Sequence, residues 1–249
     1  MNLTAATTHD GVVERAFTLG DVTGVLWSPE TPTADAPLIL MGHTGGLHKK
    51  SPGLVARARN FVTGYGYTVA AIDAPGHGDR PRDERDQQWV AEMSAARAAG
   101  ESMRRVITDY NASLAERAVP EWQATIDALQ ALPEVGAGPI GYAGTTLGTA
   151  IGLMLTAVES RIRVAEFGPV FVYEALLESA RKLTIPVRFQ LAWDDPEIDR
   201  ELGLELFGAC GSADKALHAF PGAHQRIPRT EIDISARFFA RHLRGDAAA

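Results

Sequence analysis

The chain is 249 residues long, with hydrophobic residues at 45%, charged residues at 22% and a formal net charge of −7. That length buries one large core, and the composition is that of a globular protein rather than a disordered or fibrous one. The acidic balance with no basic patch argues against nucleic acid as a partner, and no apolar run approaches the ~20 residues needed to span a membrane.

The first residues, Met1 to Ala6, lack a basic start followed by an apolar run, so no secretion signal is expected. Cys210 is the only cysteine. It excludes an intramolecular disulfide and suits a reducing cytoplasm, the compartment expected for this chain. No Cys or His pair carries metal-ligand spacing, so neither a metal nor a cofactor is expected.

In chain order, apolar runs with strand character fall at 12–18, 24–28, 37–41, 68–72, 139–143, 163–167, 186–192 and 216–220. The first two flank Leu19-Gly20-Asp21 and predict an antiparallel hairpin at a sheet edge. From the third onward helical patterns separate the strands, the arrangement of a mostly parallel sheet with helices on both faces. A single α/β domain over 1–249 follows, with a disordered tail at 245–249. Extra material lies between 80 and 118, after the fourth strand. It opens charged and turns helical from Gln87, with Trp89, Val90 and Met93 at helical spacing. A second helix carries Met103, Val106, Ile107 and Tyr110, ahead of a sheet-packing helix starting near Pro120. Such spacing commonly means packing on the body; the sharper expectation is a lid in which Trp89 and Tyr110 line a substrate pocket. The segment 168–184 has room for about one helix.

Chemistry in an open α/β sheet belongs at the carboxyl ends of the strands. The fifth strand runs into Gly144-Thr145-Thr146-Leu147-Gly148 and then an Ala/Leu-rich helix. This small–x–nucleophile–x–small turn resembles the nucleophile elbow of the α/β hydrolases, with Thr146 in place of the usual Ser. Four further motifs appear in the order of that family: Gly42-His43-Thr44-Gly45-Gly46 after the third strand, Asp73-Ala74-Pro75-Gly76-His77-Gly78 after the fourth, Asp194-Asp195 after the seventh and Pro221-Gly222-Ala223-His224 after the eighth. The resemblance runs from about Val12 to about Leu243 and is to small bacterial hydrolases of the dienelactone-hydrolase-like and esterase kind. It implies an eight-stranded α/β-hydrolase sheet.

By that resemblance Thr146, Asp195 and His224 form the catalytic triad, with Asp194 the alternative acid. The amides of Gly45 (Thr44 the alternative) and Leu147 form the oxyanion hole. His43 would orient its loop and His77 would shape its turn. Tyr142, Glu166 and Tyr173, near strand ends, are expected to pack. The implied partner is a small molecule with an ester, lactone or thioester group. The methyl of Thr146 crowds a strained turn and restricts χ1, so a slow hydrolase is expected. Two other readings stay open: a cyclase, dehydratase or lyase using His224 and Asp195 as acid and base, and a ligand-binding protein without catalysis.

Overall fold

The computed structural model describes residues 1–33 and 36–244; the expected disordered tail lies outside them. The elements are β1 (Asn2–Leu3), β2 (Thr7–His9), β3 (Val12–Leu19), β4 (Val22–Pro29), β5 (Leu38–Gly42), α1 (Pro52–Tyr65), β6 (Thr68–Ile72), α2 (Glu84–Ala99), α3 (Arg104–Gln130), β7 (Ile140–Gly144), α4 (Leu147–Thr156), β8 (Ile162–Phe167), α5 (Glu174–Arg181), β9 (Val187–Ala192), α6 (Arg200–Ala209), β10 (Lys215–Phe220) and α7 (Arg229–Arg244). Among the described residues the sheet has ten strands rather than eight, in the order β1-β3-β4-β6-β5-β7-β8-β9-β10 with β2 also on β3. The two additions are strands of two and three residues that pair antiparallel with β3.

The expected hairpin is β3–β4, closing at the pair Leu19 and Val22, with Gly20 at φ 58° supplying the left-handed turn residue. From β6 to β10 every neighbouring pair is parallel. Every residue of β6, β7 and β9 is buried, as strands covered on both faces must be. Period-two alternation divides their side chains between two cores. Leu38 and Leu40 of β5 face the core made with α3, α4, α5 and α6, whereas Ile39 and Met41 face the core made with α1 and α7.

The chain leaves β5 for β6 on one side and later crosses back to β7 on the other. The switch point therefore lies between the carboxyl ends of β5 and β7, where Gly42 is the register partner of Gly144.

The insertion differs from expectation. The second insertion helix and the sheet-packing helix are one element, α3, 27 residues long with Pro120 inside it. An interior proline removes one helix hydrogen bond and costs about 3 kcal/mol. One continuous buried stripe, through Val106, Tyr110, Leu114, Ala118, Trp122, Ile126 and Leu129, runs past it. Burying a large apolar side chain contributes about 1.5–3 kcal/mol, so Trp122, Ile126 and Leu129 together outweigh the proline. Helix α2 is held differently, because Asp86 is its only fully buried residue. Asp83 and Asp86 form a capping box at its start, and Arg117 of α3 donates to Asp86 at 2.5 Å. Burial opposes the Asp86 charge, but the Arg117 hydrogen bond and charge outweigh it and lower its pKa.

Candidate active site

Strand β7 ends at Gly144 and α4 begins at Leu147, so two residues make the whole turn. Thr146 sits at φ 49°, ψ −109°, a strained conformation for a β-branched residue that costs about 1–3 kcal/mol. Its surroundings enforce that conformation. The Thr146 N–H donates to the Pro169 carbonyl at 2.9 Å, and the Thr149 hydroxyl donates to the Gly144 and Gly168 carbonyls at 2.9 and 3.0 Å. The flanking glycines are required by contact: a Cβ on Gly144 would meet the Gly148 carbonyl at 2.4 Å, and one on Gly148 would meet the Gly42 oxygen at 2.5 Å. Tyr142 is a fully buried packing residue whose hydroxyl donates to Gly148 O at 2.6 Å.

The loop after β5 crosses this turn. The Gly45 N–H donates to Thr146 Oγ1 at 3.2 Å. A Cβ on Gly45 would touch only the Leu147 Cβ, at 3.7 Å, so these two residues are neighbours across the elbow. The Leu147 N–H lies in the first turn of α4, where amides have no partner within the helix and the helix dipole favours negative charge.

His43 orients this loop with both ring nitrogens. Nδ1–H donates to the Thr44 carbonyl at 2.9 Å and Nε2 accepts from the Ala74 N–H at 3.0 Å. Burial pushes its pKa down to about 4, only partly countered by the Thr44 hydrogen bond, so the ring is neutral. The Ala74 turn is itself anchored by buried Asp73, which accepts from the Thr23 hydroxyl at 2.8 Å, Lys49 N and Nζ at 2.9 and 2.5 Å, and Asp79 N at 3.0 Å. His77 is buried in the same turn and donates through Nδ1 to Pro75 O at 2.9 Å.

The loops after β9 and β10 bring Asp195 to His224. The His224 Nδ1 is 2.7 Å from Asp195 Oδ2, and the His224 N–H donates to the same oxygen. Asp195 Oδ1 accepts from the amides of Glu197 and Ile198 at 2.9 and 2.8 Å. Its side chain is fully buried. Desolvation alone would raise its pKa, but these backbone bonds and the histidine overcome it and the pKa is lowered. Asp194 is exposed and, among the described residues, accepts only from Gly222 N at 3.4 Å, so Asp195 is the acid that holds His224. The carboxylate fixes the proton on Nδ1 and leaves the Nε2 lone pair free. Among the described residues, the Thr146 hydroxyl has its hydrogen bond to Gly45 and none to His224.

Thr146 and His224 open onto a cavity of about 340 Å3 roofed by α2 and α3. Tyr110 lines it, together with Met93, Ile107 and Phe171. Trp89, expected as a second wall, does not line it: its ring stacks on Tyr110 at 6.1 Å, and Tyr110 in turn stacks on His77 at 6.3 Å. Phe171 was missed by sequence reasoning; it follows β8 and sets its ring edge-on to His224 at 6.4 Å. Among the described residues no group of three or more His, Cys, Asp or Glu is placed to hold a metal ion, and no helix is long and apolar enough to cross a membrane.

The fold that carries this site recurs in solved structures. A cold-adapted esterase from an Arctic intertidal metagenomic library, in a polyethylene-glycol-bound form, is 32% identical, with a TM-score of 0.78 over 98% of this chain and 100% of the other. The chain belongs to the α/β-hydrolase-fold esterase family. The native form of the same esterase aligns at 30% identity and a TM-score of 0.73, again over 98% and 100% of the two chains. A dienelactone hydrolase from Anabaena variabilis, 15% identical with a TM-score of 0.65 over 92% of this chain and 96% of its own, shares the α/β-hydrolase fold. No protein-family model and no curated protein sequence matches this α/β hydrolase.

Proposed function

We propose that the protein hydrolyses small carboxylic esters, with lactones and thioesters as chemical variants, through an acyl intermediate on Thr146. The observation that carries this reading is the Gly45 N–H on Thr146 Oγ1 at 3.2 Å, beside a His224–Asp195 pair that opens onto the same cavity. Substrate enters with its acyl chain against the apolar roof, and its carbonyl oxygen takes over the Gly45 N–H and that of Leu147. The displaced threonine hydroxyl turns toward His224, gives its proton to Nε2 and bonds to the carbonyl carbon. Asp195 stabilises the imidazolium. The alcohol leaves with that proton, and water then releases the acid by the same steps in reverse.

The reading is tested with a panel of short to medium acyl p-nitrophenyl esters, the protein compared with Thr146→Ala. Turnover that disappears in Thr146→Ala is expected. Turnover that survives the change would remove Thr146 as the nucleophile.

A second reading rests on the same hydrogen bond. A hydroxyl held by Gly45 and not by His224 suits a non-hydrolytic acid–base enzyme in which His224 and Asp195 move a proton and Thr146 only binds. Rearrangement or proton exchange of a substrate without incorporation of oxygen from labelled water would favour it.

A further inference from the structure

The cavity beneath α2 and α3 is not apolar throughout. Several polar groups in its wall are already engaged. Thr146 accepts from the Gly45 N–H, the Thr44 hydroxyl bonds to that of Thr145 at 2.9 Å, and Ser94 donates to the Val90 carbonyl at 2.8 Å. Arg82, Arg97 and Glu197 also line it, but they are exposed, and water solvates them with or without a ligand. Two residues fit neither description.

Asn111 lies in α3 between Tyr110 and Leu114, and all three line the cavity. It is 6% exposed, yet its amide has no hydrogen-bond partner among the described residues, and neither amide atom is sealed from the cavity. Asparagine is a poor helix former, and Leu or Ala would serve a position that only packs. His77 lines the same cavity and is 7% exposed. Its Nδ1–H is committed to Pro75 O, and burial lowers its pKa and keeps the ring neutral. Nε2 therefore presents a lone pair, without a partner among the described residues. The ring stacks on Tyr110, the neighbour of Asn111. Buried ionic groups on the other face of the sheet are, by contrast, satisfied by one another: Arg57 and Arg188 both donate to Glu166, and Arg188 also donates to Glu231.

The cavity thus presents an amide that donates and accepts and an imidazole that only accepts. A plain alkyl chain lying there strips both of water and returns no hydrogen bond. A hydroxyl can donate to His77 Nε2 and accept from the Asn111 amide, whereas a carboxylate would set its own lone pairs against that of His77. We infer that the acyl cavity selects esters of hydroxy acids, with Asn111 and His77 recognising the hydroxyl of the acyl group. The inference rests on the hydrolytic reading given above. The hydroxyl is recognised and not transformed, so the bonds that form and break are those of acyl transfer to Thr146 and release by water.

The test compares ethyl hexanoate with each enantiomer of ethyl 3-hydroxyhexanoate, with ethyl 6-hydroxyhexanoate and with monoethyl adipate. Each rate is divided by that ester's rate in hydroxide, which removes intrinsic reactivity. At least one hydroxy ester is expected to exceed ethyl hexanoate in kcat/KM by about tenfold, the scale of one or two net hydrogen bonds. That ratio should fall toward one in Asn111→Leu and, with the acceptor removed, in His77→Phe. Asn111→Leu should also melt no lower than the parent, since no bond within the protein is lost. A Tm lower by several degrees, or failure to fold, would give Asn111 a structural role and overturn the site. Equal rates, a ratio indifferent to both variants, or a preference for monoethyl adipate would also overturn it and leave the hydrolase standing. Hydrolysis of none of the esters would instead remove the hydrolytic reading. The site is then decided by calorimetric titration of N-ethyl-3-hydroxyhexanamide and N-ethylhexanamide into Thr146→Ala. Tighter binding of the hydroxy amide that adding Asn111→Leu abolishes supports it, and equal binding, or none, overturns it.

Discussion

The Gly45 amide donates to the hydroxyl of Thr146 at 3.2 Å, so the side chain at the elbow occupies the hydrogen-bond donor that a reacting carbonyl would need. On the proposed hydrolytic reading substrate must displace it, and the β-methyl limits which way the hydroxyl can turn. Serine at this position has no such methyl. Thr146→Ser is therefore expected to raise kcat by about tenfold, corresponding to about 1.4 kcal/mol of barrier, with KM little changed. Steady-state kinetics on one p-nitrophenyl ester checks this, and a slower serine variant would mean that the methyl assists the reaction.

Asp195 holds the His224 ring through Nδ1, and the carboxylate is itself held by the amides of Glu197 and Ile198. Asp195→Asn keeps the shape and loses the charge that fixes the tautomer. A fall in kcat of about 10³- to 10⁴-fold is expected, against a small change for exposed Asp194→Asn. The lowered Asp195 pKa also predicts an acid limit. Its contribution to stability is present above the unfolded value of about 3.9 and is lost as pH falls through the lower folded value. Urea midpoints measured below pH 4 should fall less steeply in Asp195→Asn than in the parent.

His43 gives a separate limb at higher pH. Its folded pKa is about 4, below the ordinary histidine value, so the unfolded chain binds the extra proton first. Stability then falls as pH drops from about 6.5 toward 4, by about 3 kcal/mol in all from this one group. His77 and His218, also lowered by burial, act in the same direction. The slope of urea midpoint against pH across this window should be shallower in His43→Gln, and an unaltered slope would assign the limb to the other histidines.

Tyr110 and Trp89 should separate experimentally although they stack on each other. Tyr110 lines the cavity and Trp89 supports it from outside the lining. Tyr110→Phe keeps the ring and should leave the acyl-length preference in place, whereas Tyr110→Leu should shift the preferred acyl chain. Trp89→Leu should lower Tm by several degrees with a weaker effect on preference. A dominant effect of Trp89→Leu on preference would put its ring in the pocket wall.

Much of this architecture could be read from the chain because strands buried on both faces leave apolar runs that glycine-rich turns interrupt. The third to eighth predicted strands correspond to β5 through β10, and the loops ending them carry Gly45, Thr146, Asp195 and His224. Strands β1 and β2 were not legible: at two and three residues they exist through pairing with β3, a tertiary event without a local pattern. The continuity of α3 was hidden by Pro120, whose local cost is overridden by a buried stripe extending on both sides. Partners far apart in sequence were equally out of reach. Arg188, Glu166 and Gln190 stand out as polar residues in apolar strands, but only the folded chain brings Arg57 and Glu231 to them. Side-chain rotation was also invisible: the elbow places Thr146 at the turn but says nothing of which neighbour holds its hydroxyl.

The interlocked glycines have a consequence for how the chemistry of this scaffold can change. Gly42 and Gly144 sit so close to Gly148 that main chain meets main chain, with no room for a side chain between them. The spacing between the Gly45 loop and the start of α4 is thus set by polypeptide backbone, independently of the residue that projects from the turn. The side chain at the elbow can be exchanged like a tool in a fixed chuck. Serine, threonine or a residue that does no covalent chemistry would meet the same amides and the same imidazole, so a change of reaction here needs no rebuilding of the frame.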